Sequence, residues 1–305
     1  MVKPTINYYL YWGGVFSAIL SGLLSNSGVV LQKKVVNRVI NNLPAKENLM
    51  KYLIRDKLWI FGLVINFGIG SIFYLIAQSL IGPALIPGLM ASGLIILAIG
   101  SVFVLKEGLK RKEILGIFLM IIAISFLGFS GLSIEISNRT IWEFNFLFRV
   151  SIFTLALFLL SIFLDILSRK AESFQGIPLA IFSGNMFALS NIWVSLLIGT
   201  ISKVFGGSFI LGELFVFIIA CVVLVLTNIY GVIKLQQAFT VGHASNLIVI
   251  QQIPIQTCPI LIYFLVFLMP LTDIISLFYL FLAILFIIIS AYLLGKRQAK
   301  IEQIG

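Results

Sequence analysis

The chain has 305 residues, of which 60% are hydrophobic and only 10% charged. Soluble domains carry about 25% charged residues, and disordered chains combine low hydrophobicity with high charge, so composition excludes both. The net charge of +10 would point to nucleic acid in a soluble protein; in a chain this apolar no nucleic-acid partner is expected, and the charge is read against a bilayer.

A spanning helix needs roughly 20 mostly apolar residues. Runs of that kind fall at Tyr8–Leu31, Leu58–Leu80, Pro83–Leu105, Ile114–Leu132 and Phe144–Leu167. They continue at Ile177–Thr200, Leu211–Ile233, His243–Phe267 and Ile274–Leu294. The reading is an all-α, polytopic membrane bundle of about nine transmembrane helices. Residues 1–132 form a first half of four spans with a basic loop at 32–57, 144–295 a second half of five, and 296–305 a tail. The eighth run is interrupted by Gln251, Gln252, Pro254 and Gln256.

Odd-numbered crossing places the termini on opposite faces. One face then collects 17 Lys and Arg, most of them in the first loop, at Lys106–Lys112 and in the tail; the other collects 4. Positive residues mark the cytoplasmic side, so the chain is expected in the cell membrane with its N-terminus outside and C-terminus inside. The basic face also predicts anionic lipid as a partner there. Tyr8, Tyr9, Tyr11 and Trp12 fit an outer aromatic belt, Trp59 an inner one and Trp142 the outer one again.

Cys221, Cys258 and a single histidine, His243, are too few soft ligands for a structural zinc site. No redox, nucleotide or catalytic motif is visible, and no cofactor is expected. The metal-site assignment stays open.

Ala84–Gly131 reads as helix, break, helix, and Ala244–Gly295 has the same shape. The first break is basic and inside; the second, Met269–Asp273, has no basic residue and is outside. Similar units of opposite sidedness are the sign of inverted repeats in secondary transporters. Ala84–Gly88 with Ala91-Ser92-Gly93, then Phe103–Leu109 and Leu115-Gly116-Ile117, resembles the EamA-like unit of the drug/metabolite transporter superfamily. Gln236–Phe239 and Gly242–Ser245 are similar to that unit's second-half junction. The four-plus-five organisation, Leu31–Lys34 and Trp59…Gly62-Leu63 resemble the NIPA-like branch, which implies magnesium transport. Where that branch carries a carboxylate, this chain has Gly68–Ser71.

Ionisable groups inside a bilayer default to function, and here the eleven acids fall in loops or near helix ends; only Asp165 and Glu213 lie inside spans, close to an end. Uncharged polar residues take their place. Asn66, Gly70, Tyr74 and Gln78 recur every four residues, as do Gly184, Ala188, Asn191 and Ser195, with Asn185 alongside. Ser245, Gln252 and Gln256 share a face, with Gln251 nearby and Pro254 freeing a carbonyl. Asn66, Tyr74, Gln78, Asn185, Asn191, Ser245, Gln251, Gln252 and Gln256 are therefore the candidate substrate pathway, against the alternative that they hydrogen-bond between helices. Gly13, Ser17, Ser21 and Ser25 at spacing four read as a helix-packing face, with a homodimer through it as an open alternative. Arg149 and Lys234 are expected to reach the interface by snorkelling. Asn138-Arg139-Thr140 matches a glycosylation acceptor.

The expected function is secondary transport of a small polar solute or metabolite by alternating access, not catalysis. The alternatives are a NIPA-like divalent-cation transporter and a membrane-embedded lipid-modifying enzyme.

Overall fold

In lipid a backbone must satisfy its own hydrogen bonds, so apolar runs of this length become helices. A computed structural model describes residues 8–40, 52–53, 55–105, 108–132, 143–170, 175–241, 244–268 and 273–302. The described residues contain helices and no β-strand. In chain order they are α1 (Tyr8–Ile40), α2 (57–81), α3 (Ile86–Met90), α4 (Gly93–Leu105), α5 (Arg111–Phe129), α6 (Phe144–Lys170), α7 (Gly176–Phe205), α8 (Leu211–Val241), α9 (Ala244–Leu265) and α10 (Ile274–Glu302). Among the described residues eight spans are long and apolar enough to cross a membrane, α3 and α4 together forming one of them. The protein is thus a multi-pass membrane bundle. The helix α9, the eighth of the expected runs, is not one of those eight; its apolar stretch is the shorter Ile250–Leu265. Pro254 and Pro259 lie inside that stretch.

Several boundaries differ from the sequence reading. The helix α1 runs on to Ile40, through the start of the expected loop, and α10 runs to Glu302, through most of the expected tail. The third span is two helices. The chain leaves α2 at Gly82, whose φ of 71° is in the left-handed region that glycine tolerates, turns through α3 and breaks at Ala91-Ser92 before α4.

The acids near helix ends have structural work. Asp56 caps α2, accepting from the amides of Leu58 (2.9 Å) and Trp59 (3.2 Å), and pairs with Arg38 at the end of α1. Glu113 accepts from the Lys110 amide at 2.8 Å to start α5. Glu213, 5% exposed, starts α8 by accepting from Ile210 and pairs with Lys203. Asp165 on α6 pairs with Lys234 on α8 (2.5 Å) and with Arg169 (2.8 Å). Lys234 therefore does not snorkel: it is tied laterally to another helix. Arg149 likewise turns inward, donating from Nε to the Val266 carbonyl at 2.9 Å.

The packing repeats. The helix α1 packs along α2 and against α3 and α4, and α7 packs along α8 and against α9. Ser21 of α1 donates to the Gly70 carbonyl of α2 at 2.8 Å; Ser183 of α7 donates to the Gly231 carbonyl of α8 at 2.7 Å. A Cβ on Gly22 would collide with the Met90 carbonyl, and one on Gly184 with the Gln251 carbonyl. These are matching places in α1–α5, which make four spans, and in α7–α10; α6 packs against α7 and reaches the Val266 carbonyl beyond α9. The last helix of each unit, α5 and α10, run antiparallel: Ser290 near the end of α10 donates to Gly116 near the start of α5 (2.6 Å), while Phe126 stacks on Tyr279 at 5.6 Å. Matching contacts in units that run in opposite directions have the pattern expected of inverted repeats.

The small residues of α1 divide differently from their every-four spacing. Gly22 and Gly28 make the close backbone approaches, to Met90 and to Gly62 of α2, and Gly14 makes room for the Ile81 side chain. A Cβ on Gly13 would only touch Leu80, and Ser25 lies against Gly70 of α2 at the edge of a cavity.

Candidate functional site

The N-side denotes the face where α1 begins and the C-side the face where α10 ends. Midway between them lies a cavity of about 580 Å³, within the ~300–1,000 Å³ range of small-molecule sites. Its wall takes residues from α1 (Ser21, Ser25, Asn26), α2 (Asn66, Phe67, Gly70, Ser71, Tyr74) and the α3–α4 break (Ile86, Pro87, Met90, Ala91, Leu94). The second unit adds Phe187, Ser190, Asn191 and Val194 from α7, Leu224 and Asn228 from α8, and Gln252 and Ile255 from α9. None of these side chains is charged.

Local backbone irregularity supplies the geometry. Across Val64–Ile69 the helix α2 opens into a π-turn, a form frequent at functional sites. The turn rotates Asn66 and Phe67 onto the wall beside Gly70, Ser71 and Tyr74. Among the described residues Asn66 makes no side-chain hydrogen bond. On α9 Pro254 cannot bond the carbonyl one turn back, and its ring lies against Gly184. Gln252 projects into the cavity with its Oε1 accepting from Gln256 Nε2 at 3.3 Å. Gln256 in turn reaches the Pro87 carbonyl at 3.4 Å.

A hydrogen-bonded seam between α2 and α7 closes the N-side. Tyr74 donates to Asn191 Oδ1 (2.9 Å), and Asn191 Nδ2 donates to the Pro83 carbonyl (2.9 Å). Gln78 Nε2 donates to Ser195 Oγ at 2.5 Å and to the Asn191 carbonyl at 3.3 Å. Gln78 is fully buried and its Oε1 has no partner. By the repeat, the counterpart of this seam on the C-side would join α8 to α1, and those two helices do not pack extensively.

Of the expected pathway residues, Asn66, Tyr74, Asn191 and Gln252 meet at the cavity. Gln78 belongs to the seam above it. Asn185 is buried against α6, 3.5 Å from Ser161 Oγ, and Gln251 is buried with its amide on Ser183 Oγ at 2.9 Å. Those two join helices, as the alternative reading has it. Gln256 supports Gln252 from behind the wall. The side chain of Ser245 lies outside the described ones, as do His243, Trp142 and Asn138-Arg139-Thr140. Asn26, Ser71, Ser190 and Asn228 are wall residues that periodicity overlooked. The signal for Asn228 was present: Thr227-Asn228 is the polar step in an apolar run from Ile218 to Ile229.

Among the described residues no three His, Cys, Asp or Glu side chains converge. A scan against protein-family models and searches of curated proteins and of solved structures found no match to this chain.

Proposed function

We propose that the protein is a secondary transporter of a small polar solute, working by alternating access between its two inverted units. The observation that carries this reading is the polar cavity at mid-depth, walled by both units and sealed toward one face by the α2–α7 seam. Binding at the interface of inverted repeats, beside interrupted helices, is the arrangement expected of such carriers. Rocking of the units would break the Tyr74–Asn191 and Gln78–Ser195 bonds and bring α8 against α1. The 17-to-4 split of basic residues makes the C-side cytoplasmic, so the conformation described is closed to the outside. Anionic lipid would meet the basic C-side.

The lining supports a divalent cation less well: magnesium prefers carboxylate and water oxygens, and no carboxylate reaches the wall. A lipid-modifying enzyme would need convergent acid, base or metal-ligating groups; the cluster at the described helix ends, Asp165 with Lys234 and Arg169, is occupied in ion pairs with itself. Reconstitution into proteoliposomes, with Mg²⁺, amino acids and nucleotide-like metabolites as trial solutes, tests the proposal. Flux of at least one above protein-free vesicles is expected. A folded protein that moves none of them contradicts it.

A further inference from the structure

Resting on the transport reading, we infer that the cavity takes an uncharged, planar solute with an amide-type hydrogen-bonding edge: a nucleobase or nucleoside. Four carboxamides from four helices set the chemistry. Asn26 Nδ2 is used by the Gly22 carbonyl (3.0 Å) and Asn228 Nδ2 by Ser190 Oγ and the Leu224 carbonyl (both 2.8 Å), so each presents its Oδ1 as an acceptor. Gln252 has its Oε1 occupied by Gln256 and presents Nε2 as a donor. Asn66 presents both. Donors and acceptors thus converge without a net charge, which is what a carboxamide needs to read a base edge in two-point fashion.

The same wall carries Phe67, a residue 70% exposed, and Phe187. Flipped or single-stranded bases are held elsewhere by edge hydrogen bonds together with aromatic faces. A sugar alone would leave those rings without a planar partner. A charged solute would enter a mid-membrane site with no counter-charge. Along the lining helices the first charged residues are Lys33 and Lys234, six or seven residues and so roughly 9–11 Å of helix from Asn228 and Asn26. Lys234 is already engaged by Asp165.

Radiolabelled uridine, uridine 5′-monophosphate, glucose, arginine and Mg²⁺ are offered in turn to proteoliposomes at zero potential and at 100 mV set by potassium and valinomycin. Uridine is expected to enter faster than into empty vesicles and to level off at the same internal concentration at both potentials. A carried single charge would instead accumulate about 50-fold, the equivalent of ~2.3 kcal/mol per charge at 100 mV. The monophosphate, glucose, arginine and Mg²⁺ should enter no faster than into empty vesicles. Flux of one of those four without flux of uridine overturns the nucleoside class and leaves the transport reading standing. Absence of flux for all five removes both.

Discussion

Asp165 and Lys234 show what a single side chain does near a helix end in this bundle. They lie on α6 and α8, are 19% and 14% exposed, and meet at 2.5 Å. Removing one partner leaves the other charge poorly solvated, and removing both does not. Lys234→Met is therefore expected to destabilise the detergent-solubilised protein, and Asp165→Asn combined with it to recover part of the loss. The coupling read from thermal unfolding should be about 1–3 kcal/mol. Additive single effects would show that the pair is not coupled. From sequence both residues were legible as near-end charges. Their pairing was not, because it links positions 69 residues apart on helices whose rotation no local spacing specifies. The same limit governed the glutamines: Gln251 and Gln252 are neighbours, yet one is buried on Ser183 and the other faces the cavity.

Elements pack here by close backbone approach rather than by a hydrophobic effect between helices. Gly184→Leu would drive a side chain into the Gln251 carbonyl and the Pro254 ring. Overpacking costs typically 1–3 kcal/mol, and the clash with backbone places this variant at the upper end; Gly22→Leu should match it through Met90. Gly108→Leu, with open room at its Cβ, should leave the unfolding temperature unchanged. The moving seam is testable by tethering. With Cys221 and Cys258 replaced by Ala, Gln78→Cys and Ser195→Cys joined by a short thiol cross-linker should arrest transport, and reduction should restore it. Transport that continues in the cross-linked protein would show that α2 and α7 need not separate. Helix existence was legible at this scale because apolar length alone decides it. The π-turn of α2 and the α3–α4 break were not. Asn66, Gly70 and Tyr74 recur at the spacing of a regular helix and still reach one wall after the turn, so periodicity gave no sign of it.

The molecule as a whole is a multi-pass helical bundle in which α1–α5 and α7–α10 make matching contacts and α6 packs on α7. Cysteines placed at positions 3 and 300 should react with membrane-impermeant reagents from opposite faces, 3 from outside and 300 from inside. Labelling from one face would break the odd-span topology on which the inverted arrangement depends. The most direct measurement concerns Asn66. It sits on the cavity wall in the π-turn and makes no side-chain hydrogen bond among the described residues, and its contact with Gly28 of α1 runs through the Cβ and backbone, which Leu keeps. Asn66→Leu, similar in size, should leave unfolding temperature unchanged or raise it slightly while solute flux in proteoliposomes falls at least tenfold. Flux that survives the substitution would contradict the assignment of this cavity as the transport site.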